Sequence, residues 1–408
     1  MAAPKLRFKE FDGDWSQSRI GEIFQVTSGS TPLRSDNRFF ENADIAWVKT
    51  TDLNNGLIEK TEEKISQIAL KETSVKILPK GTVFVAMYGG FNQIGRTGLL
   101  VDEAACNQAL SAIYPNEKIE SYFLLTFLNH KVDDWKNFAA SSRKDPNITK
   151  SDVLAFPLTY PVKEEQTKIA SFLSAVDEKI SQLTQKHELL SQYKQGMMQK
   201  LFSQEIRFKA VDGSEFGEWE ETTISKISST ISTGATPSTL KEEYWNGNIK
   251  WMSSGELNHR HVHDVEKTIT ELGFKSSSTK ILPKHCVLIG LAGQGKTRGT
   301  VAINYIELCT NQSIAAIHPN PKVFDYRFIF FNLDMRYQEL RALSTGDGGR
   351  GGLNLQIIKG VEIHLPCLEE QTKIANFLSS IDQKIEVVAQ QIEQAKTWKK
   401  GLLQQMFV

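Results

Sequence analysis

The chain has only four cysteines in 408 residues, Cys106, Cys286, Cys309 and Cys367, and no two form a Cys-x-x-Cys pair. A zinc ribbon and a disulfide scaffold are therefore not expected, and a reducing cytoplasm fits best. Net charge is also missing, with 48 basic against 48 acidic residues. That removes the plain electrostatic footprint of a nucleic-acid binder, though not a local basic patch. No long apolar run is present. The stretch around Cys286–Ala292 is far short of the ~20 residues of a membrane span, and Met1–Glu10 has no apolar core of signal-peptide kind. From residue 162 to 202 there is no proline, and glycine occurs only at Gly196.

What is present is an ordinary globular composition, 40% hydrophobic and 24% charged, in a chain long enough for two to three domains at about 150 residues each. Sliding the sequence along itself by about 204 residues exposes a duplication. Leu6-Arg7-Phe8-Lys9 with Trp15 returns as Ile206-Arg207-Phe208-Lys209 with Trp219. Gly29-Ser-Thr-Pro32 returns as Gly234-Ala-Thr-Pro237, and Trp47 as Trp251. Ile77-Leu-Pro-Lys80 returns as Ile281-Leu-Pro-Lys284, and Asn107-Gln108 as Asn311-Gln312. The strongest match is Glu164–Ala170 against Glu369–Ala375.

Each copy has two parts. The first is mixed: Val83–Met87 and Leu99–Val101 read as strands, as do Val287–Ile289 and Thr300–Ile303. Tyr122–Asn129 and Tyr326–Asn332 read as short buried helices. The second part is a heptad seam. It runs through Ile169, Leu173, Val176, Ile180, Leu183 and Leu190, with His187 and Lys194 in the gaps. It returns as Ile374, Leu378, Ile381, Ile385, Val388 and Ile392. About 40 residues make a helix of roughly 60 Å. So narrow a stripe needs a second helix of its own kind, which the other copy supplies.

These residues resemble the specificity subunits of type I restriction–modification systems. The likeness rests on the duplicated layout, the opening Leu6-Arg-Phe with Trp15, the Gly29–Pro32 turn and the Ile77–Gly81 segment. It rests most on Pro161 through Glu165-Gln166 into Ile169-Ala170, Phe172-Leu173 and Val176-Asp177, with its twin Pro366 through Glu370-Gln371 into Ile374-Ala375, Phe377-Leu378 and Ile381-Asp382. The resemblance implies an α+β fold: two tandem target-recognition domains (1–160 and 206–365), each followed by a spacer helix (161–205 and 366–408). The helices would pair as an antiparallel coiled coil with pseudo-two-fold symmetry. It also implies that each domain reads half of a bipartite site on double-stranded DNA. Two methyltransferase subunits and the restriction–translocase subunits would be the partners, in the cytoplasm and with no membrane.

The chemistry absent from the chain agrees with a non-catalytic role. An adenine methyltransferase needs an Asn/Asp-Pro-Pro-aromatic motif, and Asp145-Pro146-Asn147 is the nearest approach. No cofactor and no metal are expected in this chain. S-adenosylmethionine, ATP and Mg are expected in the partner subunits.

Gly290–Thr297 satisfies the Walker A pattern. A phosphate loop must run into a helix, whereas Arg298–Ile303 reads as a strand, so a hairpin loop is expected instead. That loop offers Gln294, Lys296, Thr297 and Arg298, and its counterpart offers Asn92, Gln93, Arg96 and Thr97. Amides suit adenine edges, and Arg or Lys suits guanine edges. Arg350, in a glycine-rich loop, and its counterparts Arg143 and Lys144 are candidates for phosphate or groove contacts. Lys49 and Thr50, with Ser253 and Ser254, follow the two tryptophans and offer polar tips that either touch DNA or cap turns. His259, His261 and His263 alternate as a strand would and could face a metal together, though a solvated loop is the plainer reading.

Overall fold

The computed structural model describes residues 4–89, 92–138, 147–228, 230–293, 295–343 and 352–407, without the side chains of residues 136 and 138. The chain divides into two compact units. One comprises Met1–Thr184 with Gln390–Val408, and the other Gln185–Ala389. Both division points fall inside long helices, Lys163–Phe202 and Leu368–Met406.

Alternation of side chains builds each unit's centre. In the first unit a five-stranded sheet runs Val26–Ser28, Leu110–Ile113, Val83–Ala86, Thr97–Leu100, Gly56–Ile58. The last two strands are parallel and the other neighbours antiparallel. Successive residues of a strand face opposite sides. Val83 and Val85 accordingly join one core, with Phe123 and Phe127 of the helix Ser121–His130. Phe84 and Ala86 join another, with Val48, Leu53 and Cys106. A three-stranded sheet, Glu63–Ile65, Ile45–Val48 and Ala105–Cys106, lies beside that second core.

The second unit repeats the plan. Its five strands run Ile231–Thr233, Ile314–Ile317, Val287–Gly290, Val301–Asn304, His261–Val262. The helix Tyr326–Met335 takes the place of Ser121–His130. The expected strands and buried helices are therefore found, with ends shifted by at most three residues.

The duplicated signatures are the locks of this scaffold. Gly29 lies so close to the backbone of Cys106 that an added Cβ would fall 2.2 Å from its carbonyl oxygen, and Gly234 meets Thr310 in the same way. Trp47 and Trp251 are core residues, as expected, and their indole nitrogens donate to Ser30 O and Ala235 O. Thr31 donates to Gln108 and Thr236 to Gln312, tying each Gly-x-Thr-Pro turn to its Asn-Gln pair.

The Glu-Gln pair works alike in both copies. Glu165 is fully buried and accepts two bonds from Arg7, and Glu370 does the same with Arg207. Gln166 donates to Pro161 O and Lys118 O and accepts from Glu120 N, fastening the start of the long helix to the start of Ser121–His130. Gln371 makes the equivalent three bonds to Pro366, Val323 and Asp325.

Each unit contains the beginning of one long helix and the end of the other. In the first, Ile169, Leu173 and Val176 share a core with Leu402, Met406 and Phe407. Leu6 N bonds Gln405 O near the beginning of Lys163–Phe202, while Asp177, farther along, meets Lys399 at 2.5 Å. The two segments therefore run in opposite directions. In the second unit Ile374, Leu378 and Ile381 share a core with Met198 and Leu201. There the gap-filling Lys194 is ion-paired with Asp382, the twin of Asp177. Along the seam Leu183, Val388 and Ile392 are buried, while Ile180, Leu190 and Ile385 are half-buried. The four cysteines are free, and burial pushes Cys106 and Cys286 up to about 12. Among the described residues no helix is long and apolar enough to cross a membrane.

Candidate nucleic-acid interface

The Walker-like residues lie in a hairpin. Val287–Gly290 pairs antiparallel with Val301–Asn304, so the chain leaves the loop as a strand, with no helix N-terminus to hold a phosphate. The loop is pinned from below. Arg341 donates to the carbonyls of Gly295 and Arg298, and Tyr337 OH to that of Lys296. Gly299, at φ 81°, is pressed against Tyr337 and Arg341.

Left-handed glycines set the correspondence between the copies. Gly89 and Gly95 match Gly293 and Gly299. Lys296 thus stands where the first copy has Asn92, Thr297 where it has Gln93, and Arg298 where it has the buried Ile94. Lys296 and Asn92 are exposed, and Gln93, Arg96 and Thr297 are half-buried. Gln93 folds back over Gly89.

Two expected contacts are corrected by burial. Arg298 is only 9% exposed, because it fills the slot of an apolar residue. Thr97 has no exposed surface, and its hydroxyl donates to Asn129 at 2.6 Å. The tips after the tryptophans are likewise turned inward. Lys49 Nζ bonds Glu63 at 2.8 Å and Glu62 at 3.1 Å, which holds its pKa above the usual lysine value. Lys49 N and Ser253 N are capped by Asp52 and Glu256. Thr50 and Ser254 are half-buried in the short turns that follow. Arg143, Lys144, Gln294 and Arg350 lie outside the described residues.

The alternating histidines do not share a strand. His259 ends a 3₁₀ helix, and only His261 and Val262 are extended. His261 Nδ1 lies 3.2 Å from Tyr305 OH, while His263 stacks on the Tyr305 ring at 4.6 Å. Burial lowers the His261 pKa. Among the described residues no group of three or more His, Cys, Asp or Glu is placed to hold a metal.

Beside the loop lies a cleft of about 800 Å³. Arg260, Lys296 and Arg341 line it, with Asp334, Tyr337 and Asn258. Sequence reasoning missed Arg260, Asp334 and Arg341. Asp334 and Arg341 lie on consecutive helices, Tyr326–Met335 and Tyr337–Ala342, and only the sheet order brings Arg260 to them.

Two copies of one scaffold, locked by the same residues and differing at the equivalent hairpin loops, define a duplicated, helix-linked two-module protein. The profile of the type I restriction modification DNA specificity domain matches residues 12–192 and again residues 217–397, and the chain belongs to that family. It is similar to the type I restriction enzyme MjaIX specificity subunit of Methanocaldococcus jannaschii, at 32% identity over 357 residues, covering 82% of this chain and 81% of that one. The MjaVIII specificity subunit of the same organism is 23% identical over 420 residues, covering 97% of this chain and 94% of its own. Among solved structures, the type I S subunit from M. genitalium superimposes with a TM-score of 0.65 at 17% identity, over 100% of this chain and 99% of that one, a likeness of fold.

Proposed function

We propose that the chain is the non-catalytic, DNA-reading subunit of a type I restriction–modification enzyme. Each module reads one half of a bipartite, asymmetric site, and the helices hold the modules and dock two methyltransferase subunits, with restriction subunits joining the same cytoplasmic assembly. S-adenosylmethionine, ATP and Mg then belong to the partners. The observation that carries this reading is the division of labour within each module: residues shared by both copies lock the scaffold, whereas Asn92, Gln93 and Arg96 in one and Lys296 and Thr297 in the other differ at the same loop. Two readers of different sequences require that pattern. Base edges carry the sequence information and phosphates the affinity. Thr50 and Ser254, with Arg143, Lys144, Gln294 and Arg350 from the sequence, complete the proposed contact set.

The test is replacement of residues 1–160 by the corresponding part of a relative, followed by mapping of methylated adenines across a genome. One half of the motif should change and the other persist. A single continuous motif, or a swap that alters both halves, would contradict the two-reader assignment.

A further inference from the structure

Arg260 has a backbone that an arginine rarely adopts. Its φ is 60° and its ψ −45°, outside even the left-handed helical well. The conformation is held from both sides: Arg260 N donates to Leu257 O, and Ile303 N donates to Arg260 O. In the first unit the sheet register sets Gly56 where Arg260 stands, and the left-handed residue of that turn is the preceding Asn55, at φ 61°, a type that tolerates positive φ.

The surroundings of the two turns also differ. In the first unit the polar groups close on one another. Thr97 N donates to Asn55 Oδ1, Asn129 Nδ2 to Asn55 O, and Thr97 Oγ1 to Asn129 Oδ1. In the second unit Val301 replaces Thr97 and Asp334 replaces Asn129. Arg260 is ion-paired with Asp334 and lies 5.2 Å over the Phe330 ring. The side chains of this pair are 38% and 19% exposed and line the cleft that also receives Lys296.

Stability does not account for this arrangement. A partly exposed ion pair contributes little, and a strained non-glycine turn works against it. Glycine or asparagine would fit the turn better. Strain of this kind persists where a side chain has a task, and here the task belongs to the guanidinium. Phe330 lies beneath it, and Asp334 holds its Nη2. A phosphate clamp would not place a carboxylate beside its arginine, because the carboxylate repels the phosphate. The uncharged acceptor pair of a guanine, O6 and N7, tolerates the carboxylate and matches the fork.

We propose that Arg260 is a specificity-determining residue that reads a guanine edge in the half-site of the second module, with Asp334 as its positioning residue. Lys296, at the rim, faces the DNA backbone. The first module makes no equivalent contact, because Gly56 stands where Arg260 does and the neighbouring Asn55 and Asn129 are bonded to Thr97. This inference rests on the DNA-reading role proposed above.

The experiment selects bound sequences from a random duplex library, using the full chain co-expressed with the methyltransferase subunit of its system. Arg260→Gly suits the turn, so its thermal midpoint should match or exceed that of the unchanged chain. Its preference for guanine should nevertheless fall about 10-fold or more at one base pair, with the other half-site unchanged. Arg260→Lys should lose the same preference, because an ammonium has no fork. Asp334→Asn should weaken it at that same base pair by a smaller factor. A motif in Arg260→Gly identical to that of the unchanged chain would overturn the proposal. So would a uniform loss of affinity with every base preference intact, the mark of a phosphate contact. If the unchanged complex enriches no motif at all, the DNA-reading role fails first, and this inference with it.

Discussion

Arg7 and Glu165, 158 residues apart, form a two-pronged ion pair, with Nε to Oε1 at 2.8 Å and Nη2 to Oε2 at 2.7 Å. The carboxylate has no exposed side-chain surface, while the arginine keeps 15%. The N-terminal segment is thereby clamped to the first turn of the long helix, and Arg207–Glu370 repeats the clamp in the second unit.

Removing the arginine strands a buried charge, which costs far more than the pair contributes. Arg7→Ala should destabilise the first unit by about 3–5 kcal/mol. Arg7→Lys should recover only part, since an ammonium cannot bond both oxygens in the plane of the carboxylate. Urea denaturation of the two variants checks this, and equal stability of Arg7→Ala and the unchanged chain would refute it.

The pair Asp177–Lys399 and its twin Lys194–Asp382 bridge the two helical segments within their units. Asp177 also accepts from Tyr122 OH at 2.6 Å, so exchanging the charges in Asp177→Lys with Lys399→Asp should restore only part of what either single change loses. A double-mutant cycle should give a coupling of about 1 kcal/mol. Zero coupling would mean that packing of Leu173 and Leu402 alone fixes the register.

His130 stacks on Phe407 at 5.7 Å, and burial, followed by the nearby Lys131 charge, lowers its pKa below the ordinary 6.5. The folded state therefore prefers neutral His130. The unfolded chain takes up the proton first as pH falls through about 6.5, and stability is lost from there down to the lower, folded pKa. His261 and His318, also lowered by burial, act in the same direction. His130→Gln should therefore lose less stability than the unchanged chain between pH 7.5 and 5.5. Denaturation midpoints at both pH values read this directly, and identical losses would refute it.

Lys296→Ala should weaken DNA binding by the complex by roughly 1 kcal/mol or more and make the salt dependence shallower by about one contact. ATP should not bind the chain before or after the change. A filter-binding series across salt concentrations measures the first effect and equilibrium dialysis the second. ATP binding abolished by Lys296→Ala would mean that the hairpin acts as a phosphate loop after all.

Much of the fold is legible in the sequence, because duplication and periodicity are one-dimensional signals. The repeat of Gly29–Pro32, Trp47 and Glu165-Gln166 announces two copies of one scaffold, and Ile169–Leu183 announces the helix seam. Burial of a stripe or an alternating strand follows from spacing alone. The partner of Glu165 is not legible, because Arg7 approaches only when the chain has returned from the far side of the module. Nor is the burial of Thr97 and Arg298: both look like polar loop residues in sequence, but the sheet register carries one into a strand and the other into the slot of Ile94. The cleft is the clearest case. Arg260, Lys296 and the helical pair Asp334 and Arg341 come from separate segments with no common motif, and a parallel strand pairing, His261 beside Ile303, brings the turn of Arg260 over the helix that carries Asp334. Local pattern decides which residues are buried in an element, whereas meetings between distant segments depend on how the elements are ordered, and that is a property of the packed chain.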